Sequence, residues 1–379
     1  MKKQILITIS LILLSFISIS KLVKYNYPKS EEKSNNKIYS IYLDDKKISS
    51  FPSKGLFKVT VNCKNAQGKW IYDDWKLTIE DIIGDVSCNI NFKTIQYQKF
   101  NNHIISLLGK KQGEGQFINE NGYRYEGKNP NNYVLFNNEY WRIIGVFDSN
   151  SHGQNGEQLI KMIRDEQICT VVWDKSSYKT WDTSTLYNLL NDNYYNATDG
   201  TNSGYCYGYY ENRRNAISNC NYTKVGIQDY YRTMVKKTTW FLGKHDTYTA
   251  TANELYNAER IQETSLGMIT KVDAKIGLMY PSDYGYSSLK TDCPRTTSLH
   301  EYSDKGCASK SWLYKSGKEW LITSSDTTNK RIFNILPEGD LYYLEANYGM
   351  CYRPVLYLDS SVYLIEGEGT LDKPYIVGI

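Results

Sequence analysis

Several signatures of metal and nucleotide chemistry are missing from this sequence. It has only four histidines, which stand apart from one another, and its cysteines form no CxxC pair of the kind that holds zinc. The segment Gly122–Asn129 has the glycine and lysine spacing of a phosphate-binding loop, but Asn129 stands where Ser or Thr would hold magnesium. We therefore predict no metal, no cofactor and no nucleotide partner.

Runs of basic residues and nucleophile motifs are scarce as well. The formal net charge is only +4 on a mixed surface, so the charge pattern gives no reason to expect nucleic acid. No GxSxG elbow is present, and neither Cys169 nor Cys351 follows the Thr that precedes a sortase nucleophile. We predict that the protein is not an enzyme, and a cysteine-dependent surface enzyme is the weakest alternative.

An uncharged apolar segment, Ile5–Ser20, opens the chain between lysines on both sides. Its length lies between that of a signal peptide and the roughly 20 residues of a membrane helix. Residues 1–24 are therefore predicted to be a signal peptide or a signal anchor, and the sequence leaves both open. Lys2 and Lys3, which precede the apolar segment, are expected to stay on the cytoplasmic side of the membrane. We expect the remainder on the extracellular face of the membrane, or secreted or held in the cell wall.

The eight cysteines of such an exported chain predict disulfide bonds. Loop closure costs least between near neighbours, which leaves Cys169 and Cys351 as a long-range pair that would close the larger domain. The predicted local pairs are Cys63–Cys88, Cys206–Cys220 and Cys293–Cys307.

Composition divides the rest of the chain into three parts. Residues 25–50 are polar and lack periodicity, which predicts a stalk. Residues 51–100 contain short alternating segments between Cys63 and Cys88 and predict a small all-β module stapled by a disulfide. A glycine-rich break, Gly109–Gln116, precedes a larger domain at 113–379.

The larger domain is predicted to be α+β. Tyr133–Phe136 and Glu139–Phe147 alternate like strands and flank a pair of asparagines, which tolerate the positive φ angles of a tight hairpin turn. Asp182 is placed to cap a helix, and a second helix is predicted over Thr251–Glu263. Strand meanders with helices inserted between them are typical of the α+β class.

Several blocks of the sequence resemble a family of uncharacterised exported surface proteins of low-GC Gram-positive bacteria. The late strands are also similar, at the level of fold, to C-type-lectin-like domains, including the formylglycine-generating enzymes. The resemblance implies an exported domain and, at the level of fold, a C-type-lectin-like architecture, and it supplies no catalytic residues. The blocks that carry it are Gly122–Phe147, Trp181–Asn191, Lys275–Ser287, Trp320–Ser325, Arg353–Val362 and Gly367–Tyr375.

The most unusual feature of the composition is its 35 tyrosines. Tyrosine suits half-exposed strands, and it also offers rigid amphipathic faces to glycans and proteins. We predict a non-enzymatic binding or adhesion module for a glycan or a surface protein, with a structural component of the cell envelope as the alternative. The predicted ligand-facing residues are Trp141, Tyr280, Asp283, Tyr284, Tyr286, Trp320 and Arg353.

Overall fold

The computed structural model describes most of the chain as two compact units, Met1–Gln96 and Tyr97–Ile379. Within the described residues no helix is long and apolar enough to cross a membrane, and the predicted signal or anchor at 1–24 lies outside them. The described ranges are 37–53, 57–71, 74–94, 98–176, 180–208, 219–263, 267–325 and 331–379.

The described residues of the first unit form the strands β1 (Lys37–Leu43), β2 (Lys46–Ile48), β3 (Phe57–Lys64), β4 (Gln67–Ile71), β5 (Lys76–Glu80) and β6 (Val86–Thr94). β2, β1, β6 and β3 form one sheet in that order, and β4 pairs with β5. Alternate residues point inward, and the ring of Trp70 packs edge-on against Phe92 at 4.9 Å between centroids. Cys63 and Cys88 lie opposite each other in the β3–β6 register.

The structure differs from the predicted stalk at residues 37–48, which form β1 and β2. Tyr39, Ile41 and Leu43 alternate along β1 and pack against the core of this unit. Lys46 and Lys47, which made the segment look solvated, lie on β2, which is the edge strand. Charged edge strands are common because they discourage pairing with other chains.

The second unit is mostly β. Its helices are short and are inserted between the strands. The helices are α1 (Phe100–Ile105), α2 (Ser149–His152), α3 (Thr185–Asn188), α4 (Asp229–Arg232), α5 (Ala252–Arg260) and α6 (Pro281–Gly285), with a π-helical turn at Leu189–Tyr194 and 3₁₀ turns at Trp181–Thr183, Leu299–Glu301 and Ala308–Lys310. The strands are β7 (Lys111–Gln112), β8 (Glu114–Asn119), β9 (Tyr123–Asn129), β10 (Tyr133–Phe136), β11 (Glu139–Phe147), β12 (Leu159–Arg164), β13 (Ile168–Val172), β14 (Val235–Lys236), β15 (Thr238–Leu242), β16 (Thr270–Ala274), β17 (Ile276–Gly277), β18 (Glu319–Ser324), β19 (Arg331–Ile335), β20 (Leu341–Glu345), β21 (Gly349–Tyr352), β22 (Val355–Leu358), β23 (Tyr363–Glu366) and β24 (Tyr375–Gly378).

The main sheet of this unit curls into a half-barrel. Its central path runs β14-β22-β12-β11-β10-β24-β23, and β9 joins it at β11. The predicted hairpin between β10 and β11 is confirmed: Asn137 and Asn138 adopt φ angles of 58° and 60° at its turn. A second sheet has the order β13-β21-β18-β19-β20, and β15 pairs with β16. This mostly β architecture with short helices is consistent with the α+β class.

Disulfide bonds connect the strands and loops in the predicted pattern, and none of the eight cysteines is free. Cys169 and Cys351 join β13 to β21 across 182 residues of sequence. The other three pairs are Cys63–Cys88, Cys206–Cys220 and Cys293–Cys307.

Candidate functional site

All seven residues predicted to face a ligand are buried in this structure, with at most 2% of each exposed. In this conformation they pack inside the second unit, so a ligand would reach them only after a rearrangement. Four of them, Tyr280, Asp283, Tyr284 and Tyr286, come from α6 and its two ends. Trp141 lies on β11, Trp320 on β18, and Arg353 directly follows β21.

Asp283 is the centre of a buried ion cluster. Its Oδ2 accepts a hydrogen bond from Lys161 Nζ at 2.5 Å, and its Oδ1 accepts bonds from Arg124 Nη1 at 2.9 Å and Arg260 Nη2 at 3.3 Å. Glu259, also fully buried, accepts bonds from the backbone and hydroxyl of Ser282. We call Arg124, Lys161, Glu259, Arg260 and Asp283 the Asp283 cluster.

Four elements deliver these side chains to one point. Arg124 comes from β9, Lys161 from the centre of β12, and Glu259 and Arg260 from the last turn of α5. Asp283 lies in the first turn of α6, where Pro281 fits the fixed φ of a helix start. The cluster therefore ties the main sheet to both helices.

Burial and charge act against each other in the Asp283 cluster. Burial alone would raise the pKa of Asp283, but Lys161, Arg260 and Arg124 outweigh it and hold the pKa below its usual range. Burial lowers the pKa of Lys161 to about 7 although Asp283 opposes this. Burial raises the pKa of Glu259 to about 7 against Arg260 and Ser282. Two groups of the cluster thus titrate near neutrality.

Aromatic rings line the cluster on several sides. Lys161 Nζ lies 4.4 Å from the centroid of the Tyr280 ring and 5.5 Å from that of Trp240. Arg260 stacks over Tyr280 at 4.0 Å and Arg124 over Phe147 at 4.6 Å. Such contacts compensate part of the cost of burying a cation. The Arg124 and Arg260 nitrogens that lack a hydrogen-bond partner belong to these stacked guanidinium groups.

Arg353 has a separate buried partner, Glu319. Its Nε and Nη2 donate to the two carboxylate oxygens at 2.7 and 2.9 Å, and Nη2 also donates to the Leu313 carbonyl. Trp320 donates from its indole nitrogen to the Val171 carbonyl. These contacts fasten β18 to its neighbours, and none of them involves the Asp283 cluster.

A different group of aromatic side chains reaches the surface. Tyr248, His300, Tyr342 and Tyr343 are each half-buried and contact one another. The centroid of Tyr248 lies 4.5 Å from that of His300 and 4.9 Å from those of Tyr342 and Tyr343. We call these four residues the aromatic patch. No local pattern in the sequence indicates this patch, because three separate segments contribute to it.

Contacts with β20 and with Arg331 fix the aromatic patch in position. His300 Nδ1 lies 3.1 Å from the Leu341 carbonyl oxygen, which fixes the ring against β20. The exposed Arg331 lies 5.0 Å from the centroid of Tyr343 and donates to its hydroxyl at 3.3 Å. The resulting surface combines flat rings, phenol hydroxyls and a guanidinium group.

A cleft beside Trp173, Trp181 and Lys244 has a volume of about 10 Å³, which is room for a single water molecule. In the described part of the chain no three His, Cys, Asp or Glu side chains are grouped to hold a metal ion.

No family model, curated protein or solved structure matches this chain.

Proposed function

We propose that this chain is an exported surface protein whose second unit is a non-enzymatic binding or adhesion module for a glycan or a protein ligand. The observation that carries the proposal is the aromatic patch. It lies on β20, an edge strand, and on the loop and 3₁₀ turn that contribute Tyr248 and His300. A lectin-like arrangement of this unit, tethered by its N-terminal segment or released, belongs to the same proposal.

The chemistry of the patch suits a sugar. Tyrosine rings bury apolar area at little cost in conformational entropy, and their hydroxyls can bond to polar groups of a ligand. Sugar rings offer C–H faces for stacking and hydroxyls for hydrogen bonds. Arg331 at the rim adds a donor for hydroxyl or acidic groups.

The covalent framework supports an extracellular role. Four disulfide bonds, of which one spans most of the second unit, persist in oxidising compartments and are rare in the cytosol. With all eight cysteines paired, none presents the free thiol that a cysteine-dependent enzyme would need.

A glycan array probed with the labelled full chain tests the proposal. We expect selective binding to one group of related glycans, and loss of this binding in the double variant Tyr248→Ala/Tyr342→Ala. Tyr230→Ala is the matched control, since Tyr230 is 54% exposed and is not part of the patch. An absence of selective binding would favour the alternative of a structural envelope component, or a protein ligand, over a glycan.

A further inference from the structure

Lys161 and Asp283 are placed unusually closely for two ionisable side chains in a protein interior. Lys161 Nζ lies 2.5 Å from Asp283 Oδ2, and both side chains are completely shielded from solvent. The carboxyl carbon is one bond beyond that oxygen, so the amine is near the roughly 3–3.5 Å separation of a reactive geometry. The two residues are 122 positions apart in sequence, and the fold alone brings them together.

As an ammonium ion, Lys161 would have more N–H donors than hydrogen-bond acceptors around it. An ammonium group has three N–H donors, and among the described residues Asp283 supplies its only hydrogen-bond acceptor. Its other neighbours are the rings of Tyr280, Trp240, Tyr357 and Phe147. These rings give an ammonium group cation–π contacts but no further hydrogen-bond acceptor. An amide nitrogen with a single N–H would leave fewer donors unpaired.

We propose that Lys161 and Asp283 react with each other inside the folded protein and form an intramolecular isopeptide bond. The product is a secondary amide between Nζ and the Asp283 side chain. Burial removes competing water, and the short distance replaces a collision in solution by a reaction between neighbours.

The reaction is balanced without any co-reactant. One proton passes from the Lys161 ammonium to Asp283 Oδ2, which leaves a neutral amine facing a neutral carboxyl group. The nitrogen lone pair attacks the carboxyl carbon, a C–N bond forms, and Oδ1 carries the negative charge of the tetrahedral intermediate. A second proton then passes from nitrogen to Oδ2, the C–Oδ2 bond breaks, and one water molecule leaves.

The other members of the Asp283 cluster suit this step. Arg124 and Arg260 both donate to Oδ1, the oxygen on which charge would develop, as oxyanion-stabilising donors do. They also favour the ionised carboxylate, so the neutral amine and carboxyl pair is a sparsely populated state through which the reaction passes. The lowered pKa of Lys161 agrees with an amine that gives up its proton easily. Glu259 is the neighbouring acid that can hold or release a proton near neutral pH.

The bond would give this unit a cross-link that does not depend on redox conditions. It would fasten β12, in the main sheet, to α6, which carries four of the seven predicted ligand-facing residues. Unlike the disulfides, it would survive reduction. A surface protein exposed to proteases and pulling forces would gain a permanent connection between distant segments.

Peptide mapping of the reduced, denatured wild-type full chain tests the proposal without requiring any variant to fold. Trypsin should leave Lys161 uncut and yield residues 143–164 joined to residues 276–290, lighter by one water than the two peptides together. Fragmentation should place the link between Lys161 and Asp283. Lys161→Arg, which trypsin cuts at position 161, should instead release the separate peptides 143–161, 162–164 and an unmodified 276–290.

Lys236 provides the matched control, because it also pairs with carboxylates, Glu157 and Asp359, but lies near the surface. Lys236→Arg should retain the cross-linked peptide in full. If the wild-type protein is instead cut after Lys161 and gives an unmodified 276–290 peptide throughout, the pair is an ordinary buried salt bridge and the proposal is wrong.

Discussion

At the scale of single residues, the Asp283 cluster brings five ionisable side chains together in the interior of the second unit. Three bases, Arg124, Lys161 and Arg260, face two acids in a space that excludes water. Removing one partner from such a group leaves a buried charge uncompensated, which strongly destabilises a folded protein. The sequence pointed to Asp283 for a different reason, as a residue that contacts a ligand.

Glu259 makes the stability of this unit depend on pH. Burial raises its pKa from an ordinary value of 4.5 to about 7 in the folded protein, so between these pH values the folded state holds a proton that the unfolded state has released. The stability from this group is present below pH 4.5 and is lost as the pH rises through 7. The loss is about 3 kcal/mol at roughly 1.4 kcal/mol per pH unit.

Urea unfolding of wild type and Glu259→Gln at pH 5 and pH 8, with the disulfides intact, measures this effect. Glutamine resembles the protonated acid, so the variant should gain stability relative to wild type as the pH is raised. A difference between the two proteins that stays constant from pH 5 to pH 8 would show that Glu259 does not titrate in this window.

Residue-scale prediction from sequence was weakest for the candidate site. The seven predicted ligand-facing positions are all buried in this conformation, and four of them lie on α6 or at its ends. Lys161 and Arg124 carry charges and gave no sign that they lie in the core. The aromatic patch joins Tyr248, His300 and two residues of β20, and no local pattern connects segments so far apart.

At the scale of elements, local sequence signals predicted one hairpin turn and one helix correctly and misplaced one helix cap. The asparagine turn of the β10–β11 hairpin follows from the positive φ that asparagine tolerates. The helix predicted at Thr251–Glu263 is α5, which begins at Ala252 and ends at Arg260. Asp182, predicted as a helix cap, lies instead in a 3₁₀ turn, and Ser184 caps α3.

The start of α5 should matter to the Asp283 cluster because this helix carries Glu259 and Arg260. Thr251 and Glu254 form a capping box in which each side chain bonds to the other's backbone nitrogen. Thr251→Ala should therefore destabilise the second unit by about 1 kcal/mol. Urea unfolding measures this loss, and Thr249→Ala, two residues before the cap, serves as the control. Equal stability of the two variants would contradict a role for the box.

At the scale of the whole molecule, the disulfide pattern was the most predictable feature. Near neighbours pair first because short loops cost little entropy to close, and the long-range pair Cys169–Cys351 follows by exclusion. The extent of the first unit was predicted less well from the sequence, because the residues of β1 and β2 were assigned to a stalk. Lysines on an edge strand look the same in a sequence as lysines in a linker.

The central claim is that the aromatic patch binds the ligand of this surface protein, and calorimetric titration measures it most directly. The glycan selected by the array would be titrated into the full chain, Tyr248→Ala and Tyr230→Ala. We predict a Kd raised roughly tenfold or more by Tyr248→Ala, which corresponds to at least about 1.4 kcal/mol, and an unchanged Kd for Tyr230→Ala. Equal affinity of wild type and Tyr248→Ala, with both proteins folded, would contradict it.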